Sequence, residues 1–94
     1  MDPFELEVLG RVADDYEAIH TIRPDLERDL SRPVSANEVG AALVRLAAAG
    51  FVDPLIYDQV HQEYCRVALS AYSADELWFF ITPAGCAEYD RLVA

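Results

Sequence analysis

The chain has 94 residues with 17 acidic and seven basic side chains, a formal charge of −10, and 53% hydrophobic residues. That is enough apolar side chain for one modest core and too much for a disordered acidic tail. Pro3, Glu5, Arg11 and Asp14 interrupt the beginning of the chain, so neither a spanning helix nor a cleavable signal is expected, and the reading is a soluble, cytoplasmic single domain over residues 1–94.

Charge is unevenly spread. Residues 1–20 carry six acids and one arginine, residues 21–50 four of each sign, and residues 51–94 seven acids and two arginines; there is no lysine. A protein that neutralises DNA phosphates ordinarily presents a basic face, so this balance counts against nucleic acid as the main partner. Cys65 and Cys86 are too few for a disulfide framework.

In chain order, Asp2, Pro3 and Glu5 form a capping-box start with proline in the first turn. Leu9, Val12, Tyr16 and Ile19 recur at helical spacing, which predicts a first helix running to Ile19 or His20. Pro24 suits the first turn of a short second helix with Leu26 and Leu30 inward, broken by Ser31, Arg32 and Pro33. Ser35 and Glu38 make a second capping box, opening a third helix that buries Val39, Leu43 and Leu46. Gly50 is placed to end it in a left-handed conformation, with Phe51 folding back on the last turn. Alternation over Cys65–Ala71 and the apolar run Leu77–Ile81 predict a hairpin with its turn at Tyr72–Glu76. Tyr57, Val60 and Tyr64 fit a short helix as well as a strand, so Leu55–Tyr64 stays open. Thr82 and Pro83 cap a closing helix with Tyr89, Leu92 and Val93 inward.

The stretch from Pro24 to Gly50, read as helix, turn, capped helix and glycine stop, resembles the helix-turn-helix of winged-helix proteins. Val39, Leu43, Leu46, Gly50, Phe51 and Val52 are similar to that superfamily's exit from its recognition helix. Phe80-Ile81-Thr82-Pro83-Ala84-Gly85 is similar to the passage from wing strand to final helix in MarR-like and PadR-like regulators. The resemblance implies an α+β fold: a small winged-helix domain of three helices, then a β-hairpin wing and a C-terminal helix. It also implies a third helix that enters the major groove. On that helix Asn37, Ala41, Val44, Arg45 and Ala48 face outward, and only Asn37 and Arg45 can hydrogen-bond base edges. A sequence-specific DNA-binding regulator would use these two with Arg23, Arg28 and Arg32. Asp75 and Glu76, at the expected wing turn, carry the wrong sign for phosphate.

His61, Cys65 and Cys86 lack a C-x-x-C pair and a fourth ligand, so no metal is expected. No phosphate-binding loop, nucleophile elbow or dinucleotide fingerprint is present, and Asp14 and Asp15 point apart on a helix; neither catalysis nor a cofactor or small-molecule ligand is expected. In Leu77-Trp78-Phe79-Phe80-Ile81 both alternating faces are apolar. Either the Leu55–Tyr64 segment covers the Trp78 and Phe80 face, or Trp78, Phe80 and Tyr57 form a protein interface. The preferred expectation is a non-enzymatic domain that works by protein contact, as a homodimer, an adaptor or an acidic partner of a basic surface, with sequence-specific DNA binding as the alternative.

Overall fold

A computed structural model describes residues 1–94. In chain order it contains α1 (Pro3–Arg11), β1 (Glu17–Ala18), α2 (Ile19–Leu30), α3 (Ala36–Ala48), β2 (Val52–Asp58), β3 (Glu63–Arg66), β4 (Trp78–Ile81) and α4 (Pro83–Val93), with two single 3₁₀ turns between β3 and β4. The sheet is antiparallel throughout, in the order β1-β4-β2-β3. The helices lie against one of its faces. Between the two layers is a core that includes Leu9, Ile22, Leu26, Leu43, Leu46 and Phe79, each fully buried.

The helix starts follow from the caps. The Asp2 carboxylate accepts the Glu5 N–H at 2.7 Å while Glu5 reaches back to the Asp2 N–H, and Ser35 with Glu38 repeats the exchange at α3. These backbone donors hold the carboxyls of Asp2 and Glu38 below the ordinary range. The third helix ends as the sequence predicts. Gly50 adopts φ +81°, its N–H bonds the Ala47 carbonyl, and the Phe51 N–H bonds the Leu46 carbonyl, which together make a Schellman stop. A Cβ at Gly50 would meet nothing within 4 Å. Gly50→Ala is therefore expected to cost only the positive-φ strain, about 1 kcal/mol in a denaturant titration.

Four expectations are corrected. α1 stops at Arg11 and does not reach Ile19. Carboxylates are unfavourable at a helix C-terminus, and the Asp15 side chain instead binds the Tyr16 N–H, offering the backbone a non-helical alternative. α2 begins at Ile19, with Pro24 in its interior. Its start is fixed by Thr21, whose hydroxyl accepts the Ala18 N–H at 2.9 Å.

The predicted Cys65–Ala71 and Leu77–Ile81 hairpin is replaced by a β2–β3 hairpin whose tip is Gln59–Gln62, while Tyr72–Glu76 lies in the connection to β4. Asp58 makes that tip, accepting the Val60 and His61 N–H groups at 2.9 and 3.3 Å, and Gln62 takes φ +54°. Pro54 is tolerated in the central strand because it sits where the β2–β3 ladder ends. Its carbonyl still accepts the Val67 N–H, one step past the last ladder pair Leu55–Arg66, so only the return bond to Val67 is lost. The fourth correction is at α4, where Tyr89 packs on α1 beside Gly10 but Leu92 and Val93 are exposed.

Candidate nucleic-acid interface

α2, the turn Ser31–Ser35 and α3 form a helix-turn-helix. Ser31 leaves α2 in the left-handed region at φ +53°. Glu27 then ties the turn down, because one carboxylate oxygen accepts both the Arg23 guanidinium at 2.9 Å and the Val34 N–H at 3.0 Å. Val34 is buried, and with Val39, Leu43 and Leu46 it fixes which side of α3 faces the core.

The remaining side is the one expected from the sequence. Asn37, Ala41, Val44, Arg45 and Ala48 are all exposed, and Asn37, Ala41, Val44 and Ala48 follow one stripe at helical spacing. Asn37 and Ala41 line a shallow groove with Ile19 and with Asp75 from the β3–β4 connection. Asp75 is thus not on the wing, yet it still brings a carboxylate to the stripe.

All seven arginines lie within 4 Å of a carboxylate. Arg45 bonds Glu5 on α1 at 3.1 Å, drawing it to one margin of the stripe. Arg32 spans Glu38, the Pro33 carbonyl and the Phe4 ring, at the beginning of α3. Arg23 pairs with Glu27, and Arg28 with Asp25 and Asp29. On α2 these two arginines are five residues apart, about 140° around the helix, so one chain does not place them on a single strip. The wing tip has no arginine. It is flanked by Asp58 and Glu63 and bears Val60 at 86% exposure. Asp58 contacts the His61 ring at 2.6 Å, and that bond draws its carboxyl below the usual range.

The geometry has a solved counterpart. The Bacillus subtilis PadR chain in a crystal structure with operator DNA superposes with a TM-score of 0.71 over 98% of this chain, at 13% sequence identity. The fold is a PadR-like winged helix. The chain spans 48% of the length of that PadR chain. No family model and no curated protein sequence matches this one.

Within the winged helix, the outer face of the sheet is the second notable surface. Trp78 is paired with Leu55, and Tyr57 with Tyr64, so these four share the face turned away from the helices, as does Phe80 two residues beyond Trp78. Tyr57 is 43% exposed, while Trp78 and Phe80 are half-buried. Their cover comes from a residue that periodicity assigned to the first helix. Tyr16 stacks on Tyr64 with ring centroids 4.0 Å apart and lies 4.8 Å from Phe80. The Leu55–Tyr64 segment lies beside Trp78 in the sheet and not on top of it. Sequence reasoning missed Tyr16 here, since only strand β1, two residues long, carries it over the sheet edge.

His61 is at the wing tip, Cys65 in β3 and Cys86 on exposed α4; no three His, Cys, Asp or Glu side chains are grouped as metal ligands. No helix is long and apolar enough to cross a membrane.

Proposed function

We propose that residues 1–94 form a single DNA-reading module of a transcription regulator, with α3 as the helix that enters the major groove. The observation that carries this is the exposed α3 stripe, presented by a helix-turn-helix in a fold shared with a chain bound to operator DNA. Net charge is not decisive against it. Exposed ion pairs such as those of Arg28 and Arg32 are weak because solvent screens them, so phosphates can displace their carboxylates at small cost. The earlier expectation that charge disfavours DNA has no support from the comparison.

The composition of the stripe shapes the mode of reading. Asn37 supplies the amide that pairs with adenine, Arg45 released from Glu5 can reach guanine, and Ala41, Val44 and Ala48 suit thymine methyl groups. With Arg45 at a base, the helix-turn-helix of one chain has only Arg23, Arg28 and Arg32 for phosphate, so the affinity is expected to vary shallowly with salt.

Selection from a random duplex library, followed by fluorescence anisotropy on the selected site, tests this reading. Replacing a contacted thymine by uracil is expected to weaken binding about fourfold per methyl group, and Asn37→Ala is expected to relax the preference for adenine. Failure to enrich any sequence would refute the proposal.

A second reading, contact with a protein through Tyr57, Trp78 and Phe80, is favoured by the aromatic face of the sheet, which keeps Tyr57 exposed even though His20 of α2 meets the edge of Trp78.

A further inference from the structure

The aromatic face has a charge as well as a shape. Tyr16 and Tyr57 are its most exposed rings, at 38% and 43%, and they flank Tyr64. Asp15 adjoins Tyr16 in the chain and accepts the Tyr16 N–H at 2.8 Å, and its charge adds to burial in raising the pKa of the Tyr64 phenol. Asp14, next to it, is exposed. The one arginine on this face, Arg66, is already paired with Asp53 at 3.3 Å. The face therefore offers π surfaces beside uncompensated negative charge.

A second copy of the chain is poorly matched to it. Each copy carries a charge of −10, and an isologous contact would bring two Asp14–Asp15 pairs towards one another. A cationic side chain gains twice, from the electron-rich ring faces and from the carboxylates, and a chain of this net charge steers basic partners towards itself.

We propose that the outer face of the sheet docks an arginine- or lysine-bearing segment of a partner protein, its cationic groups stacked on Tyr16 and Tyr57 and paired with Asp15. This rests on the reading of that face as a protein-contact surface, and it goes beyond it by fixing the chemistry of the partner.

Trp78 is the only tryptophan and its ring lies 5.8 Å from that of Tyr64, so its emission reports on this face directly. The probes are a short alternating Gly-Arg peptide and the same peptide with citrulline in place of arginine, which keeps the shape and removes the charge. The arginine peptide is expected to shift Trp78 emission saturably, and Tyr16→Leu, Tyr57→Ser and Asp15→Asn are each expected to weaken it about threefold to fivefold. Asp90→Asn, a matched charge removal on exposed α4, is expected to leave binding unchanged. Circular dichroism confirms the fold of each variant, and Tyr57→Ser, at an exposed position, carries the test if Tyr16→Leu unfolds.

Equal binding of the citrulline peptide would keep the face as an interface and overturn its cationic partner. Equal losses in Asp15→Asn and Asp90→Asn would reduce the effect to general charge and overturn the site. A doubled mass in light scattering that Trp78→Ser abolishes would make a second copy the occupant. A monomer with silent Trp78 emission towards both peptides would overturn both the proposal and the interface reading beneath it.

Discussion

Adding one methyl group at Gly85 is expected to cost about 3 kcal/mol, at the upper end of overpacking penalties, and to lower the melting temperature by roughly 15 °C. A Cβ there would stand 2.1 Å from the Phe51 carbonyl oxygen and 2.8 Å from Cγ1 of Ile81. Backbone, not a flexible side chain, is the obstacle, so α4 would have to move.

That movement is opposed on three sides by Thr82. Its hydroxyl donates to the Gly50 carbonyl at 2.7 Å and accepts the Gly85 N–H at 2.9 Å, and its own N–H bonds the Phe51 carbonyl at 2.9 Å. The Thr-Pro-Ala-Gly passage is thus a clamp that lays the beginning of α4 across the exit of α3. Thermal melts of Gly85→Ala beside Gly50→Ala check the claim. If the Gly85 variant is no less stable than the Gly50 variant, the close approach of α4 to Phe51 is wrong.

Ala41→Asp is expected to abolish sequence-specific DNA binding, by about 100-fold or roughly 2.7 kcal/mol, while leaving the fold intact. Ala41 is exposed in the middle of α3, so the stability cost is limited to helix propensity, below about 0.7 kcal/mol. In a major groove the new carboxylate would face base acceptors and phosphates and would compete with them for Arg45 and Arg32. Asp75 lines the same groove as Ala41. Its neutralisation in Asp75→Asn is expected to act in the opposite direction, raising affinity several-fold. Anisotropy on the selected site reads both, and an Ala41→Asp protein that binds like wild type would remove α3 from the groove.

The helix termini marked by side chains were legible in the sequence. Asp2, Ser35 and Thr82 satisfy donors within three residues of themselves, and Gly50 answers a purely local demand for positive φ. The inward face of α3, and hence the outward stripe Asn37, Ala41, Val44, Arg45 and Ala48, followed from period alone, whereas in β4 period separated Leu77, Phe79 and Ile81 from Trp78 and Phe80 without deciding which set faces the helices. The Ser35 capping box and the Gly50 stop brought the helix-turn-helix resemblance with them, and the superposition on PadR agrees.

Tertiary structure decided the rest, for reasons of distance in sequence. Tyr16 and Ile19 fit the period of α1, but β4 offered Glu17 and Ala18 ladder partners some 60 residues away, and that pairing split the helix. Pro54 argued locally against a central strand, and only the place where the β3 ladder ends makes it harmless. The wing was misplaced because Asp58 forms its turn without an Asn-Gly pair. The arginine pairings were equally invisible, since Glu5 and Arg45 are 40 residues apart and meet only when α1 packs on α3. Residue types and periods specify local geometry; which charge neutralises which, and which apolar face remains open to a partner, is settled only when distant elements are brought into contact.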